Sequence, residues 1–430
     1  MSVTSRWLLQ CFLYLQGIIN KIPYLPELIE DSRFTIGISK FIVKFSSVKK
    51  YFSQKRLKEY WERIFYALLL MAFFLPLNWA WFALFLPGLF FTSFFSSGGL
   101  FPLLWLAWSF LSALFSPEFP FVFLEFIQEA ILILAGFSAG YFCRKKSGWF
   151  LVFLLAAALI IGLNLIQAYA LPTYPKSWVS DSERGAIPIR ITGFFQNPNL
   201  NGIYLAYMLP LLLTGWETQG LGWGEKTKYF SGILSFLSWL VIILTFSRTA
   251  WVAAFITLVC YWFTDKKANI IRLILIVAML FIIFPPIKER IFSLLFRENT
   301  FKYRLQIWNA TWSLVKQYPC TGVGKASLTH WLAHLPNYSA VHVHNHYLQI
   351  MAEKGIPALL IMLWIVYRVI SVLFRERNHT CCFQMNHGIC MALLSQLVAG
   401  FTESIWVSPL PLFLFWFGVA LMDENRKDRD

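Results

Sequence analysis

The sequence predicts an all-α integral membrane protein with about twelve transmembrane helices. Of its 430 residues, 58% are hydrophobic, 18% are aromatic and only 14% are charged, and the mean hydropathy is +0.58. A soluble domain carries roughly 25% charged residues, whereas this chain has repeated apolar segments long enough to cross a bilayer core of about 30 Å. These two observations exclude an ordinary water-soluble enzyme. The formal net charge of +15 makes the positions of Lys and Arg the guide to topology.

Residues 1–63 are expected to form a basic lead-in ahead of the membrane domain. They contain eleven Lys and Arg, and their apolar run at 7–19 is too short to cross a bilayer. Because no small-residue cleavage site follows that run, a retained amphipathic helix on the anionic cytoplasmic surface is favoured over a cleaved signal peptide.

Residues 64–422 are expected to form the polytopic transmembrane domain. Apolar segments bounded by Pro, Gly or charges predict spans near 64–77, 79–95, 100–116, 121–143, 149–170, 198–216, 229–246, 249–263, 270–286, 346–374, 385–405 and 409–422. With a cytoplasmic amino terminus, alternation places the following basic clusters and the tail 423–430 in the cytoplasm: 144–146, 226–228, 266–267, 375–377 and 426–427. This agrees with the positive-inside rule. It predicts a multi-pass protein of the plasma membrane whose candidate site is on the outer side.

Two long connections, 171–197 and 287–345, are then expected on the outer side. The second contains seven Lys and Arg against two Glu, an unusual balance for an outer loop. Within it, one apolar stripe at helical spacing predicts an amphipathic helix resting on the membrane interface: Phe301, Leu305, Trp308, Trp312 and Val315. Arg304 flanks this stripe. The excess positive charge predicts an anionic ligand at the outer leaflet.

Two polar segments are expected at the same outer face. Arg248 lies between two apolar runs, and a membrane arginine faces a partner or a water-filled cavity unless it snorkels to the headgroups. Asn197 and Asn199 flank Pro198, a typical N-cap and first-turn pattern for a helix. The exposed N–H groups of such a helix end also suit a phosphate.

Histidines concentrate before the next predicted span, at positions 330, 334, 342, 344 and 346. No carboxylate is spaced as in the zinc motif H-E-x-x-H, so a metal site is not favoured. A general base is favoured among His342, His344 and His346, because histidine titrates near neutral pH. Glu353 shares a helical face with His346, and Glu403 maps to the outer end of its predicted span. Each carboxylate could pair with an arginine or act directly.

Taken in order, several segments resemble the O-antigen ligase and polymerase superfamily. They are Gly193 to Asn199, Thr245 to Arg248, Arg304 to Trp308 with Pro319 to Gly324, His344 to Gln349, and Ala352 to Gly355. The resemblance covers about 190–365. Within the superfamily, the nearest branch resembles cyanobacterial proteins labelled as inorganic-carbon (bicarbonate) transporters, which share the basic lead-in. The pair His344-Asn345 is closer to the glycan-transferring members.

The resemblance implies a GT-C-like membrane enzyme that moves a glycan from a polyprenyl pyrophosphate to an acceptor hydroxyl, without metal or cofactor. Its partners would be the lipid-linked glycan, a glycan or lipid acceptor and membrane lipids, with no nucleic acid. By position, Arg248 and Arg304 match the phosphate-binding arginines, and His344 matches the catalytic histidine. Arg190 matches less closely.

The substrate-binding set expected from these arguments is Arg190, Asn197, Asn199, His342, His346, Glu353 and Glu403. The rival hypothesis is a transporter for a small anion such as bicarbonate, for which outer arginines would form the first binding site. A transporter of that kind is expected to carry polar residues through the bilayer midplane and internal repeats. Neither pattern is evident in the sequence, which favours an enzyme that works at the outer face.

Overall fold

The structure, a computed structural model, describes residues 65–69, 100–144, 148–170, 187, 189–217, 224–265, 299–334, 342–375 and 381–422. Across these ranges it contains helices, turns and loops and no strand, so the all-α prediction is confirmed there. Apart from Phe65, all of them belong to one compact unit, Tyr66–Asp430. The predicted lead-in, the spans 79–95 and 270–286, most of the loop 171–197 and the tail 423–430 lie outside the described residues.

The described residues form eleven α-helices. These are α1 (Leu100–Leu114), α2 (Phe119–Cys143), α3 (Gly148–Tyr169), α4 (Pro198–Glu217), α5 (Glu225–Leu244), α6 (Arg248–Asp265), α7 (Asn299–Gln317), α8 (Lys325–Ala333), α9 (His346–Arg375), α10 (Cys381–Ala399) and α11 (Pro409–Leu421). Four of these, α2, α3, α5 and α9, are long and apolar enough to cross a membrane, and α1, α6 and α11 are shorter apolar helices. The protein is therefore helical with several candidate membrane spans, and the count of about twelve stays a prediction.

Three details of the outer region differ from the sequence prediction. Helix α10 ends at Ala399, so Glu403 lies in a turn beyond the helix and not within a span. The described part of the external loop holds two helices, α7 and α8, where one was expected. Leu305 and Trp312 of the predicted apolar stripe are exposed. The buried side of α7 is formed by Ile307, Thr311 and Leu314 together with Val315, which is the one fully buried member of the predicted stripe among the described side chains.

This rotation of α7 has a packing cause. Ile307, Leu314 and Val315 join one hydrophobic cluster with residues of α8, α9 and the loops beside them, including Leu328 and Val343. Helical spacing predicted one apolar stripe centred on Leu305 and Trp312, but the side that covers α8 and α9 is the buried one. Leu305 and Trp312 are left on the outer surface of the helix.

Helix α11 is the centre of the packed domain. Every residue from Leu410 to Leu421 is buried, as expected for a helix that is apolar on all sides. It contacts α2 at very short range, because Gly136 and Gly140 form a G-x-x-x-G pair that lets two backbones approach. A Cβ added at Gly140 would lie 2.3 Å from the carbonyl oxygen of Phe417.

A second close backbone contact shapes the start of α9. The helix is interrupted at Gly355, where φ is 80° and ψ is 172°. The turn after α7 docks against this break, with Val323 N–H donating to the Ala352 carbonyl at 2.9 Å and Gly324 N–H to the Glu353 carbonyl at 2.8 Å. Two sequence segments that precede and follow the histidine cluster, Pro319 to Gly324 and Ala352 to Gly355, are therefore one structural unit.

Replacing Gly140 by Ala should destabilise the protein. The new methyl group would overlap the backbone of α11, and overpacking of this kind costs about 1–3 kcal/mol. The measurement is the unfolding midpoint of the purified protein in detergent. Gly162→Ala in α3 is the matched control, because no atom lies within 4 Å of the added Cβ. It should leave the midpoint unchanged or raise it slightly, and equal losses at both glycines would contradict the packing account.

Candidate functional site

A buried carboxylate, Glu403, lies in the turn between α10 and α11. Its side chain is 6% exposed, and its backbone N–H donates to the Ala399 carbonyl at 3.0 Å. Four side chains from three other chain segments reach this one carboxylate: Asn199 of α4, Arg304 of α7, and His342 and His344 of the loop before α9. These five residues are called the Glu403 cluster below.

The two carboxylate oxygens have different partners. Asn199 Nδ2 donates to Oε1 at 2.6 Å, and Arg304 Nη2 lies 3.3 Å from the same oxygen. His344 Nδ1 lies 3.1 Å from Oε2, with His342 Nε2 at 3.9 Å. Arg304 also donates through Nη1 to the Thr402 carbonyl at 2.9 Å, which fixes the plane of its guanidinium. The guanidinium of Arg304 and the imidazole of His344 are therefore held on different oxygens of the Glu403 carboxylate.

Asn199 is held in place by the local structure of the α4 start. The Asn197 side chain accepts hydrogen bonds from the N–H groups of Asn199 at 2.9 Å and Leu200 at 3.3 Å, so Asn197 caps the helix as expected. Pro198 occupies the first helical position. Asn197 therefore has a structural role, and Asn199 is the one that reaches Glu403.

Arg190 joins the cluster through Asn199. Its Nη2 donates to Asn199 Oδ1 and its Nε to the Thr245 carbonyl, both at 3.4 Å, and the residue is 5% exposed. The amide of Asn199 thus bridges the guanidinium of Arg190 and the carboxylate of Glu403. Gln167 of α3, which sequence reasoning missed, holds the preceding turn by accepting from the N–H groups of Thr192 and Gly193.

The turn between α5 and α6 places Arg248 next to the cluster. Arg248 is the first residue of α6 and is half-buried. The following residue, Thr249, has its hydroxyl 2.6 Å from that of Thr402, the neighbour of Glu403. Gly202 of α4 allows this turn to approach, since a Cβ there would lie 2.5 Å from Ala250 Cβ. Neither threonine was selected from the sequence, because isolated threonines carry no spacing signal.

The loop before α9 aims His344 at Glu403. Trp308 Nε1 donates to the Val343 carbonyl at 3.0 Å, and His346 N–H donates to the Gly400 carbonyl at 2.7 Å. Asn345 caps α9 by accepting from the Leu348 N–H at 2.9 Å. These bonds fix the backbone on both sides of His344, whose φ is 55°.

Among the described residues, positive φ at a non-glycine residue occurs at Gln196, Phe246 and His344. Each costs of order 1 kcal/mol or more in a left-handed conformation. All three lie in the short loops that precede α4, α6 and α9: the first two loops lead into Asn199 and Arg248 at the helix starts, and the third contains His344 itself. Backbone strain is therefore concentrated around the Glu403 cluster, which is typical of a functional site.

The electrostatics of the cluster favour an ionised carboxylate beside neutral His342. Burial by itself would raise the pKa of Glu403, but the hydrogen bond from His344 and the charges of His344 and Arg304 outweigh it and lower the pKa below its usual 4.5. Burial, together with the nearby His344 and Arg304, lowers the pKa of His342 to about 4 despite the opposing charge of Glu403. His342 is therefore uncharged at neutral pH.

Three members of the cluster could in principle hold a metal ion. One ligand atom each from His342, His344 and Glu403 lies within 4.8 Å of the others, and these are ligand types that Zn²⁺ uses. The same carboxylate is paired with Arg304, whose fixed positive charge opposes a dication. That the site works without a metal ion stays a prediction.

Two of the expected site residues lie elsewhere. His346 has its ring 4.6 Å from that of Trp406, and Glu353 accepts a hydrogen bond from Gln349 Nε2 at 2.6 Å. Both line a separate cavity on the α1, α2 and α9 side. Within the described ranges Glu403 is paired with an arginine, Arg304, and Glu353 is not.

Comparison with known proteins supports the resemblance seen in the motifs. Residues 233–363 match the family described as O-antigen ligase. The matched region includes Arg248, Arg304 and His344 and ends before Glu403. No curated protein gave a significant match. The match supports a relationship of this chain to the O-antigen ligase superfamily. The closer relationship to the inorganic-carbon transporter branch stays a prediction.

Replacing Glu403 by Gln should destabilise the outer turns and change the acid response. The change leaves Arg304 without its counter-ion, and removing one partner of a largely buried pair costs about 3 kcal/mol. Because the folded-state pKa of Glu403 is lowered, its stabilising effect is complete above pH 4.5 and is lost as the pH falls through the folded value. Unfolding midpoints between pH 3 and pH 7, about the range of carboxylate titration, measure both effects.

The control for this prediction is Glu225→Gln, an exposed carboxylate in the first turn of α5. It should keep the wild-type midpoint at every pH. A Glu403→Gln variant as stable as the wild type at pH 7 would show that the cluster is not held together by this carboxylate.

Proposed function

We propose that the protein transfers a glycan from a polyprenyl pyrophosphate carrier to an acceptor hydroxyl at the outer face of the membrane. The observation that carries the proposal is the convergence of Arg304 and His344 on Glu403, within a chain whose residues 233–363 match the O-antigen ligase family. A base and a fixed cation side by side are what displacement of an anionic leaving group requires.

In this mechanism His344 is the general base. A proton held on Nδ1 and donated to Glu403 leaves Nε2 as the proton acceptor, as in the His–carboxylate pairs of hydrolases. The acceptor oxygen attacks the anomeric carbon, the bond from that carbon to the pyrophosphate oxygen breaks, and the hydroxyl proton passes to Nε2. Glu403 orients the ring and stabilises the imidazolium that forms. Glu403 is therefore a positioning residue in this account.

The arginines receive the leaving group. Arg304 and Arg248 would bind the pyrophosphate as it takes up negative charge, with Arg190 assisting through Asn199. Arginine suits this task because its planar fork contacts two phosphate oxygens at once. Stabilising developing charge with groups already in place is usually the largest catalytic effect. Glu403 already neutralises part of the charge of Arg304. We therefore expect Arg248 to contribute as much as Arg304 to stabilising the leaving pyrophosphate.

Two helix ends support the same assignment. Helix α4 begins at Pro198, and its second residue, Asn199, donates to Glu403; α6 begins at Arg248, and its second residue, Thr249, contacts Thr402. The N-terminal ends of helices carry partial positive charge, which favours a phosphate nearby. The apolar outer surfaces of the helices would hold the polyprenyl chain in the lipid. By the positive-inside rule the cluster faces the periplasm.

The proposed function is tested by deleting the gene in its host and analysing lipid-linked glycans. Loss of a transferase should leave glycans accumulated on the polyprenyl pyrophosphate carrier, and the wild-type gene should clear them. Unchanged lipid-linked glycans together with impaired bicarbonate uptake would replace the proposal with the transporter hypothesis.

Replacing Arg304 by Lys should impair transfer even though the charge is kept. A single ammonium cannot reproduce two-point contact with phosphate and with the Thr402 carbonyl. Hydrogen bonds to charged groups contribute about 1.5–3 kcal/mol, so transfer should fall roughly 10–100-fold. The measurement is clearance of lipid-linked glycan by the variant in the deletion strain. Arg368→Lys, an exposed arginine of α9, is the control and should retain activity; equal activity of both variants would mean that diffuse charge is enough.

Replacing His344 by Gln should lower turnover by about 10²-fold while leaving donor binding nearly intact. Glutamine can hold a hydroxyl by a hydrogen bond but cannot take its proton. A purified transfer assay with a lipid-linked glycan measures turnover, and co-purification of the radiolabelled lipid donor measures binding. Normal turnover would remove His344 from the mechanism.

The exposed pair His330 and His334 provides the control for this experiment. Their rings contact each other outside the Glu403 cluster, with centroids 4.3 Å apart and a tilt of 43°, so His330→Gln and His334→Gln should cost little. The assay repeated in EDTA tests for a metal. Activity that survives the chelator is expected, whereas loss in EDTA together with loss in His342→Gln would show a metal site at His342, His344 and Glu403.

A further inference from the structure

We infer that the cavity between α1, α2 and α9 binds one sugar ring of the glycan substrate. The inference rests on the proposed function for its choice of substrate. The cavity has a volume of about 150 Å³, and two of the residues that line it, His346 and Trp406, lie two and three positions along the chain from His344 and Glu403. The residues that carry the argument are Trp105, Ser109, Glu125, His346 and Trp406, all of which line it.

Three polar atoms that line this cavity have no hydrogen-bond partner among the described residues. They are His346 Nε2, Ser109 Oγ and Glu125 Oε2, and both His346 and Ser109 are 4% exposed. A buried polar atom without a partner costs about 1–3 kcal/mol, so three around one cavity indicate that a ligand completes them. Without a ligand these three unpaired atoms lower the stability of the protein. A ligand that forms hydrogen bonds with them removes that cost.

Two other carboxylates of the cavity, Glu129 and Glu353, already have hydrogen-bond partners, so the ligand chemistry is set by the three atoms that do not. Glu129 accepts from Lys354 Nζ at 2.6 Å and from Trp105 Nε1 at 2.8 Å, and Glu353 accepts from Gln349. The three atoms left over are a carboxylate acceptor, a hydroxyl and a ring nitrogen. A hydroxyl group both donates and accepts hydrogen bonds, so a ligand with several hydroxyls satisfies all three.

Two tryptophans supply an apolar side. Trp105 and Trp406 meet edge to face at 5.4 Å, and Trp406 in turn contacts His346. A pyranose ring has an apolar C–H face that gains from burial against an aromatic surface, while its hydroxyls point to polar groups at the rim. The volume is roughly ten times the ~10–15 Å³ that admits one water, so the space suits a ring better than an isolated water.

The position of the cavity fits a substrate that continues into the Glu403 cluster. His346 faces the cavity and His344 faces Glu403, and their α carbons are at most ~7 Å apart. Trp406 and Glu403 are likewise three residues apart in one turn. A saccharide with one ring in the cavity would therefore have its next unit close to the proposed base.

The test is saturation-transfer NMR on the full chain in lipid nanodiscs, with D-glucose, D-galactose, N-acetyl-D-glucosamine and L-rhamnose as probes. At least one sugar should receive saturation on its ring protons. Glu125→Gln and His346→Gln should weaken that sugar at least fivefold, and Ser109→Ala provides a third variant that removes only a hydroxyl. Glu225→Gln is the matched control and should bind as the wild type does, with unfolding midpoints confirming that each variant is folded.

No saturation transfer to any of the four sugars would overturn the inference and leave the cavity to water. Equal transfer in the wild type and in all three cavity variants would also overturn it, because the sugar would then bind elsewhere. The result is independent of catalysis: the Arg304→Lys variant should lose glycan transfer and keep sugar binding. Failure of sugar binding with intact transfer would thus remove the cavity assignment alone.

Discussion

The loops and helix starts around the candidate site depend on one buried carboxylate. Glu403 accepts hydrogen bonds from residues that lie about one hundred and two hundred positions away in sequence, since Arg304 and Asn199 both reach it. A carboxylate in such a place is costly unless it is paired and hydrogen-bonded. Its pairing therefore brings α4, α7 and the loop before α9 into one arrangement, and the same bonds set the orientation of His344. The hydrogen bonds of Glu403 therefore both stabilise this region and set the geometry of the site.

Close backbone contacts provide the rigid frame for that arrangement. Gly136 and Gly140 bring α2 against α11, and Gly322 and Gly355 bring the turn after α7 against the break in α9. Glycine is required at Gly355 because its φ is 80° and a Cβ there would overlap the Cys320 carbonyl. Because these contacts hold the helices rigidly, the loops before α4, α6 and α9 can keep Gln196, Phe246 and His344 at positive φ next to the Glu403 cluster. A site built on such loops is more tightly positioned than loops usually allow.

Much of this could be predicted from the sequence, and the limits have physical reasons. Apolar segment length predicted the helical fold, and Asn197-Pro198 predicted a capped helix start, because both signals are local. The side of α7 that is buried could not be predicted, because both Leu305 and Ile307 are apolar and only the position of α8 and α9 decides between them. Which of the two glutamates pairs with Arg304 also depends on tertiary structure. In the structure it is Glu403 and not Glu353.

The sequence contained one tertiary signal that was not used. The G-x-x-x-G spacing at Gly136 and Gly140 predicts a close helix pair, although it does not name α11 as the partner. The cavity beside the cluster had no such signal. Glu125 and Ser109 lie on different helices, and their shared position appears only when α1 and α2 pack together. Sites assembled from single residues on separate helices leave no spacing pattern in the sequence.

The most direct test of the account is a reconstitution that measures transfer and transport together. Purified protein in liposomes would receive a polyprenyl pyrophosphate-linked glycan, an acceptor and a bicarbonate gradient in metal-free buffer. The account predicts one molecule of polyprenyl pyrophosphate released for each glycan joined to the acceptor, with bicarbonate flux at the level of protein-free liposomes. Bicarbonate flux without release of the carrier would contradict it, and would assign the arginines to anion binding instead.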